Sequence, residues 1–326
     1  MRKIPIFLLL IFSTAFLKAQ NLEYQVLFEG IGDNREFTPS YATPQTILGT
    51  RGAFEVGVNF DNHRLRGGLS HLFEFGSDLN AQKPKLTLYY QFQETNKEFL
   101  FGAFPRRDKI DFPLAMLTDT LLYYRPNIEG MFGKISWDWG HQLGFVDWVG
   151  RQAEVQREQF MAGSSGEIRH KNLFLQNHIL MFHNAHDKLH LPDQHIEDYF
   201  GFTIQGGFRT SENLPFQGTF KAGILTSFYR ERGIMEDFLS VSSFFAEASM
   251  GYKNFGIKSV MNLGGGHRFM FGDPYYRATN YSRTDFIWYF INHPKVKGKF
   301  NWSIHIPDWE TVDQQQQLSI IYIFGR

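Results

Sequence analysis

The chain has 326 residues, with 33 basic and 33 acidic side chains and no cysteine. The balanced charge offers no basic surface for nucleic acid, and the missing cysteine excludes disulfides and a lipid-anchored N-terminal cysteine. Aromatic residues make up 17% of the chain and 35 of them are Phe, a composition that suits a wall facing lipid better than a water-soluble domain.

The first residues predict a secretory signal peptide. A basic start at residues 1–3 precedes the apolar run Ile4–Phe16, and the small residue Ala19 follows it. This run is shorter than the roughly 20 apolar residues that a membrane-spanning helix needs. We therefore predict that residues 1–19 are a signal peptide and that residues 20–326 form one domain.

The rest of the chain alternates apolar and polar residues in segments of about ten residues. In segment 296–306, for example, Trp302 and Ile304 fall on one face while Ser303 and His305 fall on the other. A period of two indicates strands with unlike faces, and strands of this length with one apolar face are typical of a transmembrane β-barrel. Sixteen strands are predicted, at 22–31, 50–60, 63–75, 84–93, 97–105, 127–137, 141–150, 159–169, 171–184, 197–210, 214–229, 238–253, 255–265, 284–292, 296–306 and 314–325.

The predicted connections alternate between short turns and long loops. The short ones lie at Asp61-Asn62, Glu94–Asn96, Gly140, Lys253-Asn254 and His293–Lys295, and the long ones at 32–49, 76–83, 106–126, 185–196, 230–237 and 266–283. Outer-membrane barrels have short periplasmic turns and long outer loops. The pattern predicts an all-β fold, an antiparallel up-and-down barrel of 14–18 strands, with both termini in the periplasm. Segment 106–126 is too apolar for a loop in water, so we expect it to fold inward and narrow the pore.

The end of the chain, Leu318–Arg326, resembles the closing strand of Gram-negative outer-membrane proteins, in which an aromatic C-terminal strand is read by the assembly machinery. The aromatic residue here, Phe324, stands two positions before the end. The resemblance implies a porin-like barrel in the outer membrane, surrounded by lipid and lipopolysaccharide, with other outer-membrane proteins as candidate partners.

Charged residues on the polar faces are candidates for lining the lumen and selecting solutes. They are Glu55, Arg64, Arg66, Glu74, Lys134, Asp138, Asp147, Glu167 and Arg169. Arginine forks bind carboxylate or phosphate, but cross-strand pairing of Arg64 and Arg66 with Glu55 is the preferred alternative. For the set as a whole, structural pairing and solute selection remain equally open.

One predicted loop is rich in histidine and aspartate: His183, His186, His190 and His195, with Asp187, Asp193 and Asp198. Imidazole and carboxylate bind zinc, copper or nickel, but this spacing matches no fixed metal signature. A solvated loop facing lipopolysaccharide is the alternative, and we predict no cofactor.

The sequence lacks a Gly-x-Ser-x-Gly elbow, a His-Glu-x-x-His motif and a phosphate-binding loop. Ser70-His71 and Gly264–His267 hold serine or histidine without a placed acid, so we predict that the protein is not an enzyme. The predicted function is a porin-like channel for small polar solutes. The alternatives are a non-channel barrel, acting as an accessory subunit of an assembly or secretion complex or as a surface-binding protein, and an outer-membrane lipid-modifying hydrolase.

Overall fold

The computed structural model describes residues 21–38, 40–78, 81–190, 194–211 and 213–325, and the predicted signal peptide lies outside them. Sixteen antiparallel strands form one closed barrel, in which each strand pairs with its neighbours in sequence and the first pairs with the last. The predicted fold class and strand number are therefore confirmed. The strands are β1 (Asn21–Glu36), β2 (Gln45–Phe60), β3 (His63–Glu74), β4 (Lys85–Gln93), β5 (Lys97–Pro105), β6 (Asn127–Trp137), β7 (Gly140–Gly150), β8 (Gln159–His170), β9 (Leu173–Asn184), β10 (Glu197–Arg209), β11 (Phe216–Glu231), β12 (Leu239–Tyr252), β13 (Phe255–Leu263), β14 (Asn280–Asn292), β15 (Val296–Pro307) and β16 (Asp313–Gly325).

The two ends of the barrel differ in their connections, as predicted. At the turn end the connections are 61–62, 94–96, 138–139, 171–172, 210–215, 253–254 and 293–295, and at the loop end they are 37–44, 75–84, 106–126, 151–158, 185–196, 232–238, 264–279 and 308–312. Asp61, Lys171 and Lys253 each adopt a positive φ of about 50° and are each followed by Asn. Two-residue hairpin turns require a positive φ at their first central residue, and Asn is favoured in such turns.

The wall has the two faces that the alternation predicts. Trp302 on β15 points outward and is 39% exposed, whereas the next residue, Ser303, points inward and is fully buried. The same rule places Phe54 outside and Glu55 inside on β2. The apolar exterior is the surface that a barrel presents to lipid. Among the described residues, no helix is long and apolar enough to cross a membrane.

Two long loops fold into the lumen and fill it. We call residues 106–126 plug loop 1 and residues 264–279 plug loop 2; they contain a short helix, α1 (Leu121–Tyr124), and a 3-10 helix (Pro274–Arg277), respectively. The loops meet where the Thr118 amide donates to the Phe271 carbonyl at 2.6 Å. Both loops bury apolar side chains against the inner wall as one core. The expected inward fold of segment 106–126 is confirmed, and with plug loop 2 it occupies the lumen rather than only narrowing it.

Candidate functional site

The plug loops leave several cavities inside the barrel. The turn-end chamber, of about 440 Å³, lies between plug loop 1 and strands β1–β5. The loop-end pocket, of about 300 Å³, lies between both plug loops and the ends of β1, β2 and β14–β16. A third cavity, of about 250 Å³, lies deeper among β9–β16. Each cavity is large enough for a small molecule or for several waters.

Plug loop 2 contributes a carboxyl group to the loop-end pocket. Asp273 caps the 3-10 helix by accepting a hydrogen bond from the Tyr275 amide at 3.1 Å, and its other oxygen lies 3.7 Å from Arg283. Burial raises the pKa of Asp273 to about 6, because loss of hydration outweighs the attraction of Arg283. A carboxyl whose pKa burial raises above its ordinary value, and which lines a cleft, is a candidate for proton transfer.

The inner face of β15 contributes an imidazole to the same pocket. The Nδ1 atom of His305 lies 2.7 Å from the Tyr281 hydroxyl, and its ring stacks on Tyr275 with centroids 4.6 Å apart. The Nε2 atom has no hydrogen-bond partner among the described residues. Tyr281 and Tyr275 therefore hold the ring at the wall of the pocket.

Two guanidinium groups line the pocket as well. Arg35, at the end of β1, donates to Asp33 at 2.6 Å, and Arg283 donates to Asp285 at 2.7 Å. Each guanidinium has five donors, so these pairings leave N–H groups for a phosphate or for a developing oxyanion. The pocket thus combines two titratable groups, Asp273 and His305, with two guanidinium groups. None of these four residues was predicted from the sequence as a site residue.

Three of the predicted lumen residues line the turn-end chamber: Glu55, Arg64 and Arg66. The expected cross-strand pair exists in part, since Arg66 lies 3.9 Å from Glu55. The nearest acidic partner of Arg66 is Glu23 of β1, and Glu23 also lies 4.0 Å from Arg64. Glu74 faces inward too, but it accepts a hydrogen bond from the Tyr124 hydroxyl at 2.8 Å and so anchors plug loop 1.

The remaining lumen candidates are spread around the barrel. Asp147 is fully buried and pairs with Arg106 of plug loop 1, Glu167 pairs with Arg209 at 3.1 Å, and Lys134 faces inward without lining a described cavity. Arg169 is exposed near the turn end. The nine candidates therefore form no single ring.

Asp138 differs from the expectation. Trp137 pairs with Gly140, so β6 ends at Trp137 and Asp138 lies exposed in the two-residue turn at 138–139, not on the lumen wall.

The histidine-rich segment forms ion pairs rather than a ligand cluster. His183 Nδ1 lies 2.8 Å from Asp198, and the same carboxylate accepts hydrogen bonds from Arg230 and Arg232. The rings of His186 and His190 lie 5.1 Å apart. Across the residues that the structure describes, no three His, Asp or Glu side chains are arranged to hold a metal ion, and Asp193 lies outside them.

A buried serine–histidine cluster fixes plug loop 2. His267 accepts or donates at both nitrogens, 2.8 Å from Ser227 and 2.7 Å from Ser243, and Ser243 donates to Asn262 at 2.6 Å. Positive φ values of 102° and 150° at Gly264 and Gly265 turn the chain inward just before the histidine. The cluster lines none of the three cavities. Its position suits an anchor for the loop.

The fold is similar to that of solved outer-membrane proteins. The matches include OccAB1 of Acinetobacter baumannii (TM-score 0.58, 8% identity, 94% of this chain and 97% of that chain), a loop L8 deletion mutant of OmpT from Vibrio cholerae (0.57, 9%, 94% and 100%) and OpdK of Pseudomonas aeruginosa (0.54, 9%, 94% and 99%). At this identity the likeness shows the fold alone, a closed barrel of the porin-like kind. No curated protein matches the sequence.

A family model gives a finding of another kind. The model described as lipid A 3'-O-deacylase-type matches residues 15–316, nearly the whole chain. That family is one of enzymes, so the expectation that the protein is not an enzyme is wrong. The missing motifs on which it rested belong to other hydrolase classes, and catalytic groups are recognised by geometry rather than by local sequence. The chain belongs to the lipid A 3'-O-deacylase-type family.

Proposed function

We propose that the protein is an outer-membrane hydrolase that removes an ester-linked acyl chain from a lipid A-type glycolipid, with the loop-end pocket as its active site. The observation that carries this proposal is the meeting of Asp273, His305, Arg35 and Arg283 in one cavity. The family membership supports the reaction class, and the barrel fold supports the membrane location.

The pocket contains groups for each step of ester hydrolysis. The free Nε2 of His305 takes a proton from a water molecule as the water oxygen attacks the ester carbonyl carbon. Arg283 or Arg35 stabilises the negative charge that develops on the carbonyl oxygen. The C–O ester bond then breaks, the leaving alkoxide takes the proton held by the imidazolium, and the released fatty acid gives its own proton to bulk water and departs as a carboxylate.

The location of the pocket suits a substrate in the outer leaflet. With both termini in the periplasm, the loop end faces outward, and lipopolysaccharide occupies the outer leaflet beside it. A phosphorylated glycolipid would present its anionic groups to the guanidinium groups of Arg35 and Arg283. This orientation is part of the proposal.

The test is mass spectrometry of lipid A after incubation with the purified barrel in detergent. We expect loss of one acyl chain with the wild-type protein and a decrease of at least about a hundredfold in rate for His305→Gln and for Asp273→Asn. His183→Gln is the matched control, since this histidine also lies at the loop end but outside the pocket, and it should retain full activity. Intact lipid A with the wild-type protein, or full activity in both pocket variants, would contradict the proposal.

A channel for small polar solutes is the second candidate. The observations that favour it are the porin-like fold and the charged side chains in the turn-end chamber. The plug loops are evidence against an open pore, because their apolar side chains are buried in the lumen. A channel function therefore requires the plug loops to move.

A further inference from the structure

We infer that the turn-end chamber is a second ligand site, which binds a small organic carboxylate. It lies on the other side of plug loop 1 from the loop-end pocket and does not depend on the proposed hydrolysis. Its volume, about 440 Å³, falls within the range of small-molecule sites. The exposed fraction of the side chains falls from 38% at Arg64 to 16% at Arg66 and 5% at Arg51, so the chamber opens at the turn end beside Arg64.

The chamber holds more hydrogen-bond donors than its own acceptors use. Only the Nε atom of Arg64 donates to a described residue, Asn59, which leaves both terminal nitrogens of this guanidinium for a ligand. The Nε atom of Arg66 and the buried hydroxyl of Ser70 have no partner either. Unpaired buried donors are costly, so an acceptor-rich ligand would find preformed partners here.

The acceptors of the chamber are, by contrast, largely occupied, apart from the exposed carboxylate of Asp108. Glu29 binds Arg51 through one oxygen and Arg107 through the other, and Glu55 accepts from the Tyr89 hydroxyl at 3.3 Å. A cationic ligand would therefore compete with existing guanidinium groups. A phosphate dianion would be repelled by these same carboxylates, so a single negative charge fits best.

The walls of the chamber indicate the rest of the ligand. Apolar and aromatic side chains share the lining with the charged groups: Leu27, Ala53, Tyr89, Leu100, Leu122 and Ile323. A guanidinium fork binds a carboxylate through two parallel hydrogen bonds, and an apolar body can pack against these walls. The structure thus favours a compact aromatic or aliphatic acid over a sugar or an inorganic anion.

The proposal is tested by calorimetric titration of the purified barrel in detergent with benzoate, and with benzamide as its uncharged analogue. We expect saturable binding of one benzoate per chain and at least tenfold weaker binding of benzamide. Arg64→Gln should weaken benzoate binding about tenfold. This side chain is partly exposed and donates only to Asn59, so the variant should keep the fold, which heat-modifiable migration on gels can verify.

Arg169→Gln is the matched control, because Arg169 is exposed near the turn end but does not line the chamber. It should bind benzoate as the wild-type protein does. The inference is overturned if benzoate fails to bind, if benzamide binds equally well, or if folded Arg64→Gln binds benzoate with unchanged affinity. The wild-type protein, Arg64→Gln and Arg169→Gln should hydrolyse lipid A at the same rate, which separates this test from that of the proposed active site.

Discussion

The ion pair between Asp147 and Arg106 should control whether plug loop 1 stays in the lumen. Asp147 lies on the inner face of β7 and is fully buried, and the side chain of Arg106, at the start of the loop, is only 3% exposed. Asp147 also accepts a hydrogen bond from the Glu129 amide at 2.9 Å, while Arg106 donates to the carbonyls of Arg125 and Asn127. The substitution Asp147→Asn keeps the shape and one acceptor but removes the charge.

The expected cost follows from the burial of the remaining cation. Removing one partner of a buried ion pair typically destabilises by about 3–5 kcal/mol, because the other charge stays desolvated. The Nη1 atom of Arg106 already lacks a partner, so no other acceptor is at hand to replace the lost carboxylate. The loop can relieve this cost by leaving the lumen. Its opening equilibrium should therefore rise by roughly two to more than three orders of magnitude.

Hydrogen exchange of residues 106–126, followed by mass spectrometry in detergent, measures that equilibrium. Glu167→Gln is the control, because its partner Arg209 is 45% exposed and the pair should contribute no more than about 1 kcal/mol. We expect a large loss of protection in Asp147→Asn and little change in Glu167→Gln. Equal protection in the two variants would refute the claim that the buried pair holds the loop.

Three further predictions test other parts of the structure. Trp302→Arg should cost about 2–4 kcal/mol of refolding free energy in lipid at a position near the midplane, whereas Lys134→Ala on the inner face should cost little. Similar costs for the two variants would mean that the faces are misassigned. Burial raises the pKa of Asp273 to about 6, so the folded protein binds the proton of this carboxyl more tightly than the unfolded chain does. Docking of plug loop 2 should therefore weaken as the pH rises from about 4 to 6, which hydrogen exchange of residues 264–279 measures. The Asp273→Asn variant should lose this pH dependence. Ser227→Ala should lower the melting temperature through the lost anchor of His267 but leave the deacylation rate per folded molecule unchanged, and a selective loss of rate would move the active site to the serine–histidine cluster.

The sequence predicted the wall well because alternation reports directly on a two-faced strand. It failed at the loop-end rims, where the strands extend beyond the apolar band. β1 was predicted to end at Ile31 but continues to Glu36, since the polar run Asp33–Glu36 pairs with β16 without an alternating pattern. Asp138 was misplaced for a related reason, because face parity continues in the sequence after the strand itself has ended.

The site was harder to predict because its residues meet only after the loops fold inward. Asp273, Arg35 and His305 come from plug loop 2, β1 and β15, and no local motif links them. The apolar composition of plug loop 1 did signal an inward fold. Partners such as Asp147 and Arg106, 41 positions apart, depend on where that loop docks, which periodicity alone does not determine.

Two inward-folded loops close the porin-like wall. Planar-bilayer recording of the purified protein measures whether this closure is complete. We expect no stepwise conductance from the wild-type protein, and we expect conductance from a variant in which residues 109–122 are replaced by a short Gly/Ser linker, since the plug is then incomplete. Stepwise conductance from the wild-type protein, at the level of the loop variant, would contradict the closed lumen and favour the channel.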